Sequence, residues 1–78
     1  MLFSSITLLN INTLANILNI DTVYNVTDIY LNSVAANGKF SGDPSNVIIH
    51  IPTNADLAAG LNNGTYGISF PNENIIQY

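Results

Sequence analysis

Cysteine, tryptophan and arginine are absent from this sequence, and lysine and histidine occur once each, at Lys39 and His50. Without cysteine there is no disulfide framework, no thiolate metal site and no cysteine nucleophile. One cation in the whole chain leaves almost nothing to neutralise phosphate, which excludes a basic nucleic-acid binder. Charge is scarce altogether: 8% of residues carry it, against about 25% in an average domain. Long hydrophobic runs are missing too. The apolar N-terminal stretch is broken by Asn10, Asn12, Asn16 and Asn19, and it has no basic flank and no small-residue cleavage site before Asp21. It therefore reads as neither a secretory signal nor a membrane span.

The polarity sits in amides and hydroxyls. There are thirteen asparagines, with six serines and six threonines, and isoleucine is the commonest apolar residue. An AT-rich genome would favour asparagine and isoleucine, but it would raise lysine as well. The lysine deficit therefore points to selection against Lys and Arg. A trypsin-like protease finds one site, after Lys39, and a net charge of -4 gives little repulsion between copies.

Seventy-eight residues make one domain, 1–78, which is marginal by itself because small domains bury a small share of their surface. Small scaffolds gain support from disulfides, metals or partners. With no Cys, and no His and carboxylate cluster at ligand spacing, oligomerisation is the most available support.

Along the chain, Ile6 and Leu8, then Leu9 and Ile11, alternate as in a strand with a phase slip. Leu14, Ile17 and Leu18 have the spacing of a helical turn. Residues 22–31 are rich in β-branched and aromatic types and read as a strand, with Ile29 and Leu31 on one face. Residues 32–46 carry Asn37-Gly38, Gly42 and Asp43-Pro44 and read as a long loop anchored by Phe40. Residues 47–51 form the strongest strand, stopped by Pro52. Thr53 or Asn54 caps a short helix that Gly60 ends. Asn63-Gly64 suits a type I′ hairpin turn, and Tyr66, Ile68 and Phe70 alternate along a further strand. Residues 74–78 suit a last short strand added to an edge. No internal repeat stands out.

Candidate chemistry is thin. The carboxylates Asp21, Asp28, Asp43, Asp56 and Glu73 are scattered, with no pair placed for acid/base work. A single histidine, His50, cannot be put into a Ser-His-Asp order. It shares a strand face with Ile48. Asp43, Ser45 and Asn46 lack the spacing of a calcium loop and read as a turn. No phosphate-binding or nucleophile-elbow motif occurs. Tyr24, Tyr30 and Tyr66 are candidates for stacking a sugar or small ligand, with asparagine amides to meet hydroxyls.

These observations predict a mainly β domain, a small antiparallel sheet or sandwich with one or two short helices; the alternative is α+β with an N-terminal helix. They predict a non-enzymatic structural protein that forms a homo-oligomer, shell or fibre, with no cofactor, no metal and no nucleic acid. Its general look is similar to small auxiliary proteins of virus particles, so a virion or extracellular particle is the expected setting. Residues 2–20 serve as a candidate assembly arm, with contacts through Leu2, Phe3, Ile6, Leu8, Leu9, Ile75, Ile76 and Tyr78. The partner is a second copy or another structural protein. The alternatives are a glycan- or ligand-binding module and a small subunit of a hetero-complex.

Overall fold

The computed structural model describes residues 8–22, 26–34 and 36–78. Six short strands and one helix follow in the order β1 (Leu8–Ile11), β2 (Ile17–Asn19), β3 (Asp28–Leu31), β4 (Lys39–Ser41), β5 (Ile48–Ile51), α1 (Ala55–Asn63) and β6 (Ile75–Gln77). The chain is thus mainly β with a short helix, as the composition of its strands implies. The expected antiparallel pairing is overturned. The first sheet has the order β1-β3-β5-β6 and the second pairs β2 with β4, and every pairing is parallel. Parallel strands need long connections. Here each of the first two connections runs through a strand of the other sheet.

The result is a coil that climbs by one strand per turn in each sheet. Leu8 pairs with Asp28 and Asp28 with Ile48, a step of 20 residues each time. In the second sheet Ile17 pairs with Lys39, and the nearby bridge joins Leu14 to Ala36, both steps of 22 residues. A structural repeat is therefore present where none was expected. Only the strand positions recur, and the residues between them do not. Such stacking makes each turn depend on its neighbours for cover.

Side chains alternate across each strand, so register sorts them into rows. Leu9, Ile29, Ile49 and Ile75 line up on the inner face, followed by Ile11, Leu31 and Ile51. Ile29, Leu31, Ile49 and Ile51 have no exposed surface. Phe40 from β4 and Phe70 fill the interior from the other side, in edge-to-face contact at 5.4 Å between ring centres. Such a pair adds about 0.5–1.5 kcal/mol beyond the area it buries.

The expected helical turn at residues 14–18 is not formed. Leu14 makes a parallel bridge and Ile17–Asn19 is β2, so the described N-terminal residues hold no α-helix, only a single 3-10 turn at Ile20–Thr22. Asparagine and isoleucine are mediocre helix formers, and strand pairing with the next coil wins. Of the strand expected over 22–31, Asp28–Leu31 forms β3, and residues 23–25 lie outside the described residues. The long loop expected over 32–46 contains β4, with Phe40 as its inward residue. Gly38, just before β4, lets the second coil approach the first, because a Cβ there would collide with the carbonyl of Asn16. The Asp43-Pro44 turn stands as expected: Asp43 Oδ1 accepts from the Ser45 N–H at 3.0 Å, and the Pro44 carbonyl accepts from the Val47 N–H.

Asn54 caps α1 as its position suggests, accepting from the Leu57 N–H at 2.8 Å. The helix does not end at Gly60. It runs through a buried Gly60, packed under the Tyr66 ring, and stops at Gly64 with φ 91°. Asn63-Gly64 is thus a helix terminus and not a hairpin turn. The strand expected over 66–70 is also absent. Its backbone bonds go elsewhere: the Tyr66 carbonyl accepts from Phe40 at 2.7 Å, and the Phe70 N–H donates to Leu61 at 2.9 Å. That segment closes over β4, helped by Gly67 (φ 99°), where a Cβ would collide with the Phe40 carbonyl. β6 then adds to β5, at the edge expected for it.

Candidate functional site

Two surfaces carry what functional chemistry the fold presents. The first is the outer face of the β1-β3-β5-β6 sheet. Register sets Asn10, Tyr30, His50 and Ile76 in one row, and Leu8, Asp28 and Ile48 in the next. His50 Nε2 lies 2.8 Å from Asp28 Oδ2, and Thr27 Oγ1 donates to Asp28 Oδ1 at 2.8 Å. The His50 hydrogen bond, then that of Thr27, hold the Asp28 carboxyl below its ordinary 3.8. The Tyr30 and His50 rings stack in parallel, 4.0 Å between centres.

This arrangement orients an imidazole. Among the described residues, the Thr27 hydroxyl bonds to the carboxylate of the pair and not to the imidazole, the reverse of nucleophile, base and orienting acid. Nor does the Tyr30 ring lie open on both faces, since one is spent on His50. Of the other stacking candidates, Tyr66 is half-buried against the core, in the segment that closes over β4. Tyr24 lies outside the described residues. Tyr30 and Tyr66 therefore belong to different parts of the coil.

No group of three His, Asp or Glu residues converges among the described residues. Asp43 is engaged by Ser45, whose side chain and backbone bonds lower its carboxyl pKa, and Asp21 Oδ1 accepts from the Asp43 N–H at 3.0 Å. These oxygens hold a loop together.

The second surface is the end of the coil formed by the first turn. The Asn32 N–H donates to the Ile11 carbonyl at 2.9 Å, so Ile11 and Leu9 turn their peptide groups toward β3. Peptide groups alternate sides along a strand, and those of Leu8 and Asn10 turn outward. In β2 the Asn16 carbonyl accepts from Lys39 at 3.2 Å, which turns the peptide of Ile17 outward as well. No described residue pairs with the outer side of β1 or β2. Between them lies a hollow of about 180 Å³ lined by residues 11 and 13–18. Leu9, Ile11 and Leu18, which point inward, remain only partly covered, and Ile17 is 76% exposed.

The candidate contact residues divide between these surfaces. Leu8 and Ile76 are exposed on the outer sheet face, Leu8 at the open end and Ile76 at the opposite edge. Leu9 and Ile75 pack inward against the core. Tyr78 is exposed, and its hydroxyl donates to the Leu31 carbonyl at 3.2 Å. Leu2, Phe3 and Ile6 lie outside the described residues. Sequence reasoning did not single out Ile17 or the Asp28–His50–Tyr30 group. The recurrence of an apolar pair at 9/11, 29/31 and 49/51 is the signal that would have aligned them.

Comparison with protein families, with curated proteins and with solved structures finds no match. Among the described residues no helix is long and apolar enough to cross a membrane.

Proposed function

We propose that the chain is a non-enzymatic assembly protein that meets its partner through the open end of its coil. The observation that carries this reading is the pair of strand edges, β1 and β2, left without a described neighbour in a stretch that carries no charge from Leu8 to Ile20. Natural proteins guard open edges with charge, proline or a cover, because an open edge templates pairing with another chain. The partner is a second copy or another structural protein. A particle setting rests on the deficit of Lys and Arg in the composition.

The outer-face group supports this reading by its chemistry. The imidazole of His50 is tied to a carboxylate and to a ring, and among the described residues no nucleophile stands in line with it. The test is solution mass by light scattering after size exclusion, over a hundredfold concentration range. Assemblies larger than 8.4 kDa that shrink on Ile17→Lys are the expected result. A folded monomer throughout, for both chains, would refute self-assembly as the role of this end.

A further inference from the structure

We infer that the occupant of the open end is a second copy of this chain, docked end to end about a two-fold axis. This inference rests on the assembly reading above and adds the partner and the symmetry.

Whatever covers this end must meet two strand edges at once, and it must bring apolar surface to Leu9, Ile11 and Leu18. The first coil of another copy has both. With the axis running across the end face, β1 meets β1 and β2 meets β2, each pair antiparallel. Such a contact uses the same patch twice and closes.

Charge favours self-pairing. The five acidic residues of the chain, Asp21, Asp28, Asp43, Asp56 and Glu73, all lie outside residues 8–20, as does Lys39. A face with no charge in a chain of net -4 does not repel its own copy, and it offers a charged partner nothing to pair with. The polar side chains of residues 8–20 are Thr13 and the asparagines at 10, 12, 16 and 19. An amide carries both donor and acceptor, so it complements a copy of itself, as a carboxylate or an ammonium does not.

The other end of the coil argues against a head-to-tail fibre. There the outer side of β4 is already engaged, Phe40 N–H to the Tyr66 carbonyl, and α1 closes the third turn. Among the described residues of that end, only β6 offers an edge, and only to the first sheet. A head-to-tail contact would join β6 to β1 and leave β2 without a strand partner. The end-to-end pair provides a strand for both edges.

The experiment compares the full chain with three variants by light scattering and analytical ultracentrifugation. Far-UV circular dichroism checks that each variant is folded. Ile17→Lys puts a cation on each side of the axis. Asn10→Pro removes an outward N–H at an edge position where proline is tolerated. Ile76→Lys marks the far end. The pairing predicts a mass of twice 8.4 kDa for the full chain. It also predicts a dissociation constant raised at least about tenfold, or 1.4 kcal/mol, by Ile17→Lys and by Asn10→Pro, and unchanged by Ile76→Lys. If one end variant fails to fold, the full-chain mass and the Ile76→Lys result still decide. A species that grows with concentration and is dissolved by Ile76→Lys overturns the pairing and leaves the assembly reading standing. A monomer of the full chain at every concentration overturns the pairing and, with it, self-assembly as the role of this end.

Discussion

The two ends of this coil are built from the same kinds of residue and finished differently. At the far end, α1 lays Leu57 and Leu61 over the interior, the 64–70 segment brings Phe70 down onto Phe40, and β6 pairs with β5. Leu61 and Phe70 have no exposed surface. At the near end, Leu9, Ile11 and Leu18 occupy equivalent inward positions and stay partly uncovered. In a stacked fold each turn is stabilised by the turns beside it. The comparison teaches that the third coil is covered by described residues of its own chain, whereas the described residues leave the first partly uncovered.

The largest expected effect tests this contrast directly. Phe70→Ala empties a fully buried position at the closed end and should cost about 3–5 kcal/mol, enough to unfold a domain of this size. Leu18→Ala, at the open end, removes a partly exposed side chain and should cost about 1 kcal/mol or less in the monomer. Urea unfolding of both variants at low protein concentration measures the difference. Equal costs would break the comparison. The next effect isolates the closing helix. Asn54→Ala removes the cap of α1 and should cost about 1 kcal/mol, seen as a lower urea midpoint with the m-value unchanged.

The smallest effect lies between the ends, where Asp28 on β3 meets His50 on β5. The folded carboxyl titrates below its ordinary 3.8, so the folded state binds this proton less readily than the unfolded chain. The resulting stability is complete above 3.8 and is lost as pH falls through the lowered folded value. Asp28→Asn should remove that part of the acid slope and leave the rest. The check is a series of urea midpoints taken from above to below that pH. Because Asp28 is partly exposed, solvent screening keeps the effect small.

Much of the inner face was legible from residues alone. Ile29 and Leu31 alternate as strand residues, 48–51 stands between turn signals, and Asn54 stands where a cap belongs. The parallel topology was not. Strands of three or four residues are too short to reveal their partners, and Asn-Gly pairs suggest hairpins wherever they occur. Here the glycines answer other needs. Gly38 permits two coils to touch, and Gly64 ends a helix in the left-handed region. β4 was hidden because a single inward residue, Phe40, was read as a loop anchor. The outer-face group was hidden for a different reason. Asp28 and His50 are 22 residues apart, and only the 20-residue coil step brings them within a hydrogen bond.

Lys39 gives the chain a clock. It is the only residue after which a trypsin-like protease cuts, and the coil has put that bond in β4, whose backbone is bonded on both sides. The N–H of Lys39 is held by Asn16 on one side, and that of Phe40 by Tyr66 on the other; the lysine ammonium reaches the Thr65 carbonyl at 3.2 Å. A protease needs an extended, unpaired segment, so it must wait for the second coil to part from both neighbours. The time to the first cut therefore measures how often the stack comes open. A partner that seals the first turn would lengthen that time without touching the cleavage site.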